Sequence, residues 1–187
     1  KAGGAAREAL SKQDANAQLS TILTGIGSLS YGELAGERMK LGVLLHDPEE
    51  AHDCFSNNTH NSHYYDQVGM VEIWNGKYDG ATAVSGASIA ELARAKAPDA
   101  AKRVDEAMEN TKAKLNAIKV KADSGEMGYN QMLAAGNDAG NKLILDGVDA
   151  LVAQARAVEA VVAALNLKIK IEGSDSLDHP DQVATKK

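Results

Sequence analysis

The stretch from Asn137 to Ile169, "NDAGNKLILDGVDALVAQARAVEAVVAALNLKI", decides the fold class of this chain. Its apolar residues recur every three or four positions, which is the spacing of one face of an α-helix. The apolar band is too broad for one partner helix, so we expect this helix to pack against several others. The band consists of Leu143, Ile144, Val148, Leu151, Val152, Val158, Val162 and Leu165.

The remaining segments are helical in pattern, and no stretch shows the alternation of a strand. Helical spacing covers residues 13–46, 61–74, 87–96 and 98–123. Hydrophobic residues make up 44% of the chain but aromatic residues only 4%, a composition that favours closely packed helices over a sheet. The sequence therefore predicts an all-α fold, an antiparallel helical bundle.

The bundle is expected to occupy residues 1–171 as a single domain. Inside it we expect a loop over residues 47–60 and a turn-rich linker over residues 75–86. Asp47 before Pro48 is a helix-start signal within that loop. Residues 172–187 form a polar tail that we expect to be extended or loosely docked.

Small residues in the first long helix leave two interpretations open. Ser28, Gly32 and Gly36 lie four apart, on one side of a helix. Glycine costs a helix about 1 kcal/mol relative to alanine, so such a row makes sense where another backbone approaches closely. Alternatively, the helix breaks near Tyr31.

Charge and hydropathy exclude two classes of partner. The net charge is −6, with 20 basic and 26 acidic residues and no long basic run, which argues against nucleic acid. No stretch of about 18 apolar residues occurs, so the sequence predicts no membrane span.

The segment from Ala51 to Asp66, "AHDCFSNNTHNSHYYD", is the densest in polar and ligating groups. His60 and His63 lie three apart and would share a helical face. His52 precedes Asp53, which can orient an imidazole. A metal site would draw on His52, His60 and His63, with nearby carboxylates. Each histidine taken singly is better explained as a hydrogen-bonded structural residue than as a ligand, whereas the cluster as a whole favours a binding or catalytic role.

Two motifs in this order carry a family resemblance. "GELAGERM" (32–39), followed by "HDCFSNNTHNSHYYD" (52–66), resembles the second half of the imelysin family, also called iron-regulated protein A-like proteins. Asn57 stands where the family usually has an aspartate. The family's Gly-x-His-x-x-Glu motif belongs to its first half and does not occur in this chain.

The resemblance implies a fold, a location and a set of site residues. Imelysins resemble a pair of helical bundles, so this chain looks like one half of that double bundle, and its partner would be an N-terminal half, cleaved off or separate. Members are bacterial cell-envelope proteins, periplasmic or attached to the outer membrane, linked to iron uptake. The positions that match the family's cleft are Phe55, Ser56, Asn58, Thr59 and His60, with Glu37 and Arg38.

Three functions remain open at the level of sequence. The first is binding of a metal, iron or zinc, or of an iron-bearing ligand, in a cleft shared with the N-terminal half. The second is a metallopeptidase, because some imelysins were classed as such. The third is a non-catalytic interaction module.

Overall fold

The computed structural model describes residues 3–184 as a predominantly helical fold. The long elements are α2 (Ala15–Ser28), a π-helix (Leu29–Lys40), α4 (Thr59–Asn75), α6 (Pro98–Asp123) and α8 (Asp138–Ala164). The short helices are α1 (Ala5–Ser11), α3 (Leu41–Leu45), a 3₁₀-helix (Pro48–Glu50), α5 (Ile89–Lys96), α7 (Tyr129–Leu133), α9 (Asp175–Asp178) and α10 (Pro180–Ala184).

Side-chain contacts show that neighbouring long helices run antiparallel. His60, near the start of α4, contacts Asp123 at the end of α6, and Trp74, near the end of α4, contacts Asp105 in the first half of α6. The two helices therefore run in opposite directions. Likewise Ser30 of the π-helix receives a hydrogen bond from Gln154 of α8, and Gly147 of α8 lies against Met39. The predicted all-α antiparallel bundle is confirmed.

The helix α8 is the centre of the bundle. Ile144, Val148, Leu151 and Val158 are at most 2% exposed, and α8 packs against α2, the π-helix, α6 and α7. The apolar band of α8 is broad because several helices pack against it from different sides.

The first long helix continues without a break from residue 15 to residue 45, with wider π-type turns over residues 29–40. A Cβ on Gly32 would lie 2.7 Å from the Glu172 carbonyl oxygen, and one on Gly36 would collide with Ser174. Ser28 accepts a hydrogen bond from the Glu172 amide. Of the two interpretations, close approach of another backbone is therefore correct, and that backbone belongs to residues 172–174.

The polar tail is docked more firmly than the sequence predicts. Instead of extended chain, it forms α9 and α10, and Ser174, Ser176 and Val183 are buried. The Ser176 hydroxyl donates to the Gly36 carbonyl oxygen. The expectation of extended structure was wrong because these serines find acceptors on a glycine-lined helix surface.

Two local features refine the remaining expectations. The Asp47 side chain accepts a hydrogen bond from the Glu49 amide and starts the 3₁₀-helix, as predicted. The linker contains a two-stranded hairpin, β1 (Lys77–Tyr78) paired antiparallel with β2 (Val84–Ser85), although the sequence pattern shows no strands. Both strands are only two residues long, too short for alternation to be visible.

Candidate functional site

The polar segment folds into a pinned loop in front of α4. The Thr59 hydroxyl, fully buried at the first position of α4, accepts a hydrogen bond from the Asp53 amide at 3.1 Å. The Asp53 carboxylate accepts in turn from the Ser62 hydroxyl. Asn57 has a left-handed backbone (φ 51°), which asparagine tolerates better than most residues. These contacts fix the loop against the helix that carries His60 and His63.

His60 faces α6. Its Nε2 atom lies 2.9 Å from Asp123 and 3.1 Å from the Asn61 amide nitrogen. Asp123 is also paired with Lys119, and the hydrogen bond from Lys119, supported by that with His60, lowers the pKa of the aspartate. His60 is thus already in contact with the Asp123–Lys119 ion pair.

His63 lies one turn deeper and is fully buried. Its ring makes edge-on contacts with His52 at 5.2 Å and with Tyr129 of α7 at 5.1 Å between centroids. Neither ring nitrogen has a hydrogen-bond partner in the described structure. Burial lowers the pKa of His63 to about 3, so the ring is neutral at physiological pH and keeps one lone pair free.

His52 lies between two carboxylates at the rim. Its Nε2 atom is 3.8 Å from Glu33 and its Nδ1 atom is 3.7 Å from Asp66, both too long for hydrogen bonds. Glu33 is held by Arg38 at 2.8 Å, which lowers the pKa of Glu33. Burial raises the pKa of Asp66.

Buried polar atoms without a partner concentrate at this place. In the part of the chain that the structure describes, they are His60 Nδ1, both ring nitrogens of His63, Asp66 Oδ2, the Tyr129 hydroxyl and Asn130 Oδ1. Folded proteins pair more than nine in ten of their buried polar groups. We call the region of His63, Asp66 and Tyr129 the unsatisfied corner; His52 lies at its rim, and Asn130 follows Tyr129 in the chain.

The family model described as Imelysin, under the label Peptidase M75, matches residues 1–158. This chain belongs to the imelysin family. No curated protein matches it. The structure of this imelysin-family chain contains, over residues 3–184, no helix long and apolar enough to cross a membrane.

The residues predicted from sequence divide between three places. His63 lies in the unsatisfied corner, with His52 and Arg38 at its rim, whereas His60 turns to Asp123. Glu37 points the other way, where its carboxylate accepts a hydrogen bond from Ser174 of the tail.

The loop residues are mostly structural in their contacts. Phe55 is fully exposed, and the Ser56 hydroxyl donates to the Asp53 carbonyl oxygen at 3.3 Å. Asn58 accepts from the Asn61 side chain at 2.9 Å. Thr59 is buried under the loop.

Sequence reasoning missed Glu33, Asp66, Tyr129 and Asn130. Asp66 follows His63 by three positions, a spacing that places both on one helical face and that could have identified it. Tyr129 and Asn130 lie in the short segment between α6 and α8, and no pattern in the sequence links them to α4.

The imidazoles and carboxylates are neighbours but not a finished metal site. Within residues 3–184, no three side chains of the types His, Cys, Asp or Glu stand in a metal-holding group. The chemistry of the unpaired donors nevertheless suits a cation, since neutral imidazole and carboxylate are metal ligands.

Proposed function

We propose that this imelysin-family protein binds a metal ion, iron or zinc, in the bacterial cell envelope as part of iron uptake. The observation that carries the proposal is the unsatisfied corner, where both ring nitrogens of His63 and Oδ2 of Asp66 are buried without a hydrogen-bond partner among residues 3–184. The envelope location and the link to iron come from what the imelysin resemblance implies.

Leaving the buried polar atoms of the unsatisfied corner unpaired costs folding free energy. A buried polar atom without a partner costs about 1–3 kcal/mol, and a charged one more. A cation bound by Asp66 and His63, with His52 from the rim, would supply positive charge to the carboxylate and accept the free imidazole lone pairs. The cost in the free protein is then offset on binding.

The experiment is a calorimetric titration of Zn²⁺ and of ferric nitrilotriacetate into the purified chain at neutral pH. We expect Asp66→Asn to weaken binding strongly, because it removes the buried carboxylate. His179→Ala is the matched control, since that histidine is exposed in the tail. Equal affinity of the wild type and Asp66→Asn would contradict the proposal.

His60→Ala separates two ligand sets. If the metal uses the histidines predicted from sequence, this variant lowers affinity as much as His63→Ala does. If it uses the unsatisfied corner, His60→Ala has the smaller effect, because His60 is committed to Asp123.

A companion N-terminal half is part of the proposal. Support comes from exposed apolar side chains at two places, Phe55 beside the site and Ile73, Tyr78 and Val84 around the hairpin. Mixing the chain with a separately produced first half of an imelysin should move both proteins to an earlier elution volume in gel filtration. Phe55→Ser should weaken the complex, and independent elution of the two halves would remove this part of the proposal.

A metallopeptidase is the second candidate, favoured by the peptidase label of the matching family model. Such an enzyme needs a bound metal with an open coordination position and a general base. Incubating the chain, with and without the companion half, with a denatured protein tests it. Chelator-sensitive cleavage would favour the metallopeptidase. An intact substrate would rule it out and leave metal binding as the remaining proposal.

A further inference from the structure

We infer that the outward face of α4 is an interface with a second copy of this chain, formed by two α4 helices that cross in opposite directions at Gly69. The inference goes beyond the proposed function, because the occupant is an identical chain and not a separate first half. Metal binding does not depend on it, since His63 lies on the buried face of α4.

Exposed apolar side chains are concentrated along α4. Five of the six large ones within residues 3–184 lie on this helix or in the two segments that flank it, and the sixth is Val120 of α6. The five are Phe55, Tyr65, Ile73, Tyr78 and Val84. A group of exposed apolar side chains along one element marks an interaction surface, whereas single ones need no explanation.

Gly69 lies inside α4 without a neighbour that requires a glycine. Several helical glycines of this chain lie against another segment, as Gly32 lies against the Glu172 carbonyl oxygen. A Cβ on Gly69 would instead meet no atom of another segment within 4 Å. Glycine lowers helix stability relative to alanine, so its presence at this open position indicates that a backbone from outside the chain approaches there.

The apolar side chains are arranged symmetrically about Gly69. Tyr65 lies four residues before it and Ile73 four residues after it, on the outward face of α4. Phe55 lies in the loop before α4, and Val84 lies in the hairpin after it. A two-fold axis at Gly69 therefore sets Tyr65 of each copy against Ile73 of the other, and each Phe55 beside the other hairpin. Such correspondence is what an isologous interface requires, and it selects a second copy over an unrelated partner.

The shape of the surface fits the same pairing. A depression of about 380 Å³ lies on the hairpin side of Gly69, and its walls include Ile73, Tyr78 and Val84. Tyr65 protrudes on the other side of Gly69, with 60% of its surface exposed. The two-fold axis brings the Tyr65 ring of each copy into the depression of the other, so that both copies bury an aromatic side chain.

Sedimentation velocity of the whole chain over a roughly hundredfold range of concentration tests the inference. We expect a monomer–dimer equilibrium, which Gly69→Leu should weaken at least about tenfold, because the larger side chain separates the crossing backbones. A Cβ at this position meets no other segment of the monomer and favours the helix, so the variant should fold, and circular dichroism checks this. Ile73→Ser should weaken the dimer as well. The matched control is Val120→Ser, which changes a similarly exposed residue on α6 and should leave the dimer intact.

Cross-linking tests the two-fold axis itself. Cys54 is the only cysteine of the chain, so Cys54→Ser gives a background without thiols. In that background, Gly69→Cys should form a disulfide between two copies on oxidation, because a residue at the axis meets its own counterpart. Val120→Cys in the same background should stay unlinked.

The outcomes separate this inference from the proposed function. A monomer at every concentration, a dimer that Gly69→Leu and Ile73→Ser leave unchanged, or a dimer without the disulfide at position 69 overturns the inference. None of these results affects the proposal of metal binding, which the zinc titration measures separately. Gly69→Leu should bind Zn²⁺ as the wild type does.

Discussion

Two buried polar clusters lie one turn apart on α4, and their hydrogen bonding is opposite. Gln67 forms a reciprocal amide pair with Gln154 at 2.8 and 3.0 Å and also donates to the Met108 carbonyl oxygen. Gln154 donates in addition to Ser30, whose hydroxyl donates to the Ile26 carbonyl oxygen. Four residues earlier, His63 is equally buried and makes no hydrogen bond.

The two clusters differ in whether the protein itself satisfies their polar atoms. The glutamine cluster joins the π-helix, α4, α6 and α8, and every member is satisfied within the protein, so it fixes the register of the bundle. The unsatisfied corner destabilises the fold as it stands. A fold tolerates such a cost where a bound group removes it, which is why the second cluster is the candidate site.

The largest expected effect comes from breaking the satisfied cluster. Gln154→Leu leaves the Gln67 side-chain oxygen without a donor in the core, which should lower the free energy of unfolding by about 3 kcal/mol. The double variant Gln67→Leu/Gln154→Leu should cost less than the sum of the single variants, because no orphaned amide remains. Urea unfolding measures all three, and additive costs would contradict the pairing.

The next effect is a pH dependence that originates in His63. Its folded pKa of about 3 lies below the ordinary value of 6.5. Between these two pH values the unfolded chain binds a proton at His63 that the folded chain does not. Stability should therefore fall as the pH drops, by up to about 1.4 kcal/mol per pH unit.

His63→Leu isolates this contribution, because the difference between its unfolding free energy and that of the wild type should change over the same window. Asp66, whose raised pKa gives a slope of opposite sign, is present in both proteins. A difference that does not vary between pH 6.5 and pH 4.5 would show that His63 is protonated in the folded state.

A smaller effect, opposite in sign to most core substitutions, is expected at Tyr129. Tyr129→Phe removes a hydroxyl that has no partner, so the metal-free protein should gain about 1 kcal/mol or be unchanged. Thermal unfolding of the metal-free chain measures it. A loss of stability would mean that the hydroxyl is satisfied and that the comparison between the two clusters fails.

The smallest effect is the matched change at a satisfied tyrosine. The Tyr31 hydroxyl donates to Asp178 at 2.6 Å near the surface, where it ties α9 to the π-helix. Tyr31→Phe should therefore lower stability by about 0.5 kcal/mol, as expected for a single partly solvated hydrogen bond. The two Tyr→Phe variants should thus shift the melting temperature in opposite directions, and shifts of the same sign would contradict the contrast.

The fold was largely predictable from the sequence because its signals are local. The apolar band of α8 and the Asp47 cap depend on residues close together in the chain, and both appear as predicted. The glycine row indicated a close backbone contact but not its partner, since residues 172–174 are more than a hundred positions away.

The site was only partly predictable because it assembles from distant segments. The density of histidines over residues 52–63 points to the segment that carries His52 and His63 into the candidate site, but burial decides which ring nitrogens remain unpaired. The Nε2 atom of His60 contacts Asp123, which lies 63 positions away, whereas its Nδ1 atom has no partner among the described residues. Tyr129 reaches His63 through α7, a helix too short to be recognised in the sequence.

The most direct test of the central claim is anomalous diffraction at the iron absorption edge from crystals of the chain grown with ferric nitrilotriacetate. One strong peak is expected within bonding distance of Asp66 and His63. Iron located at His60 and Asp123, or at the tail beside Glu37, with the unsatisfied corner unchanged, would contradict it.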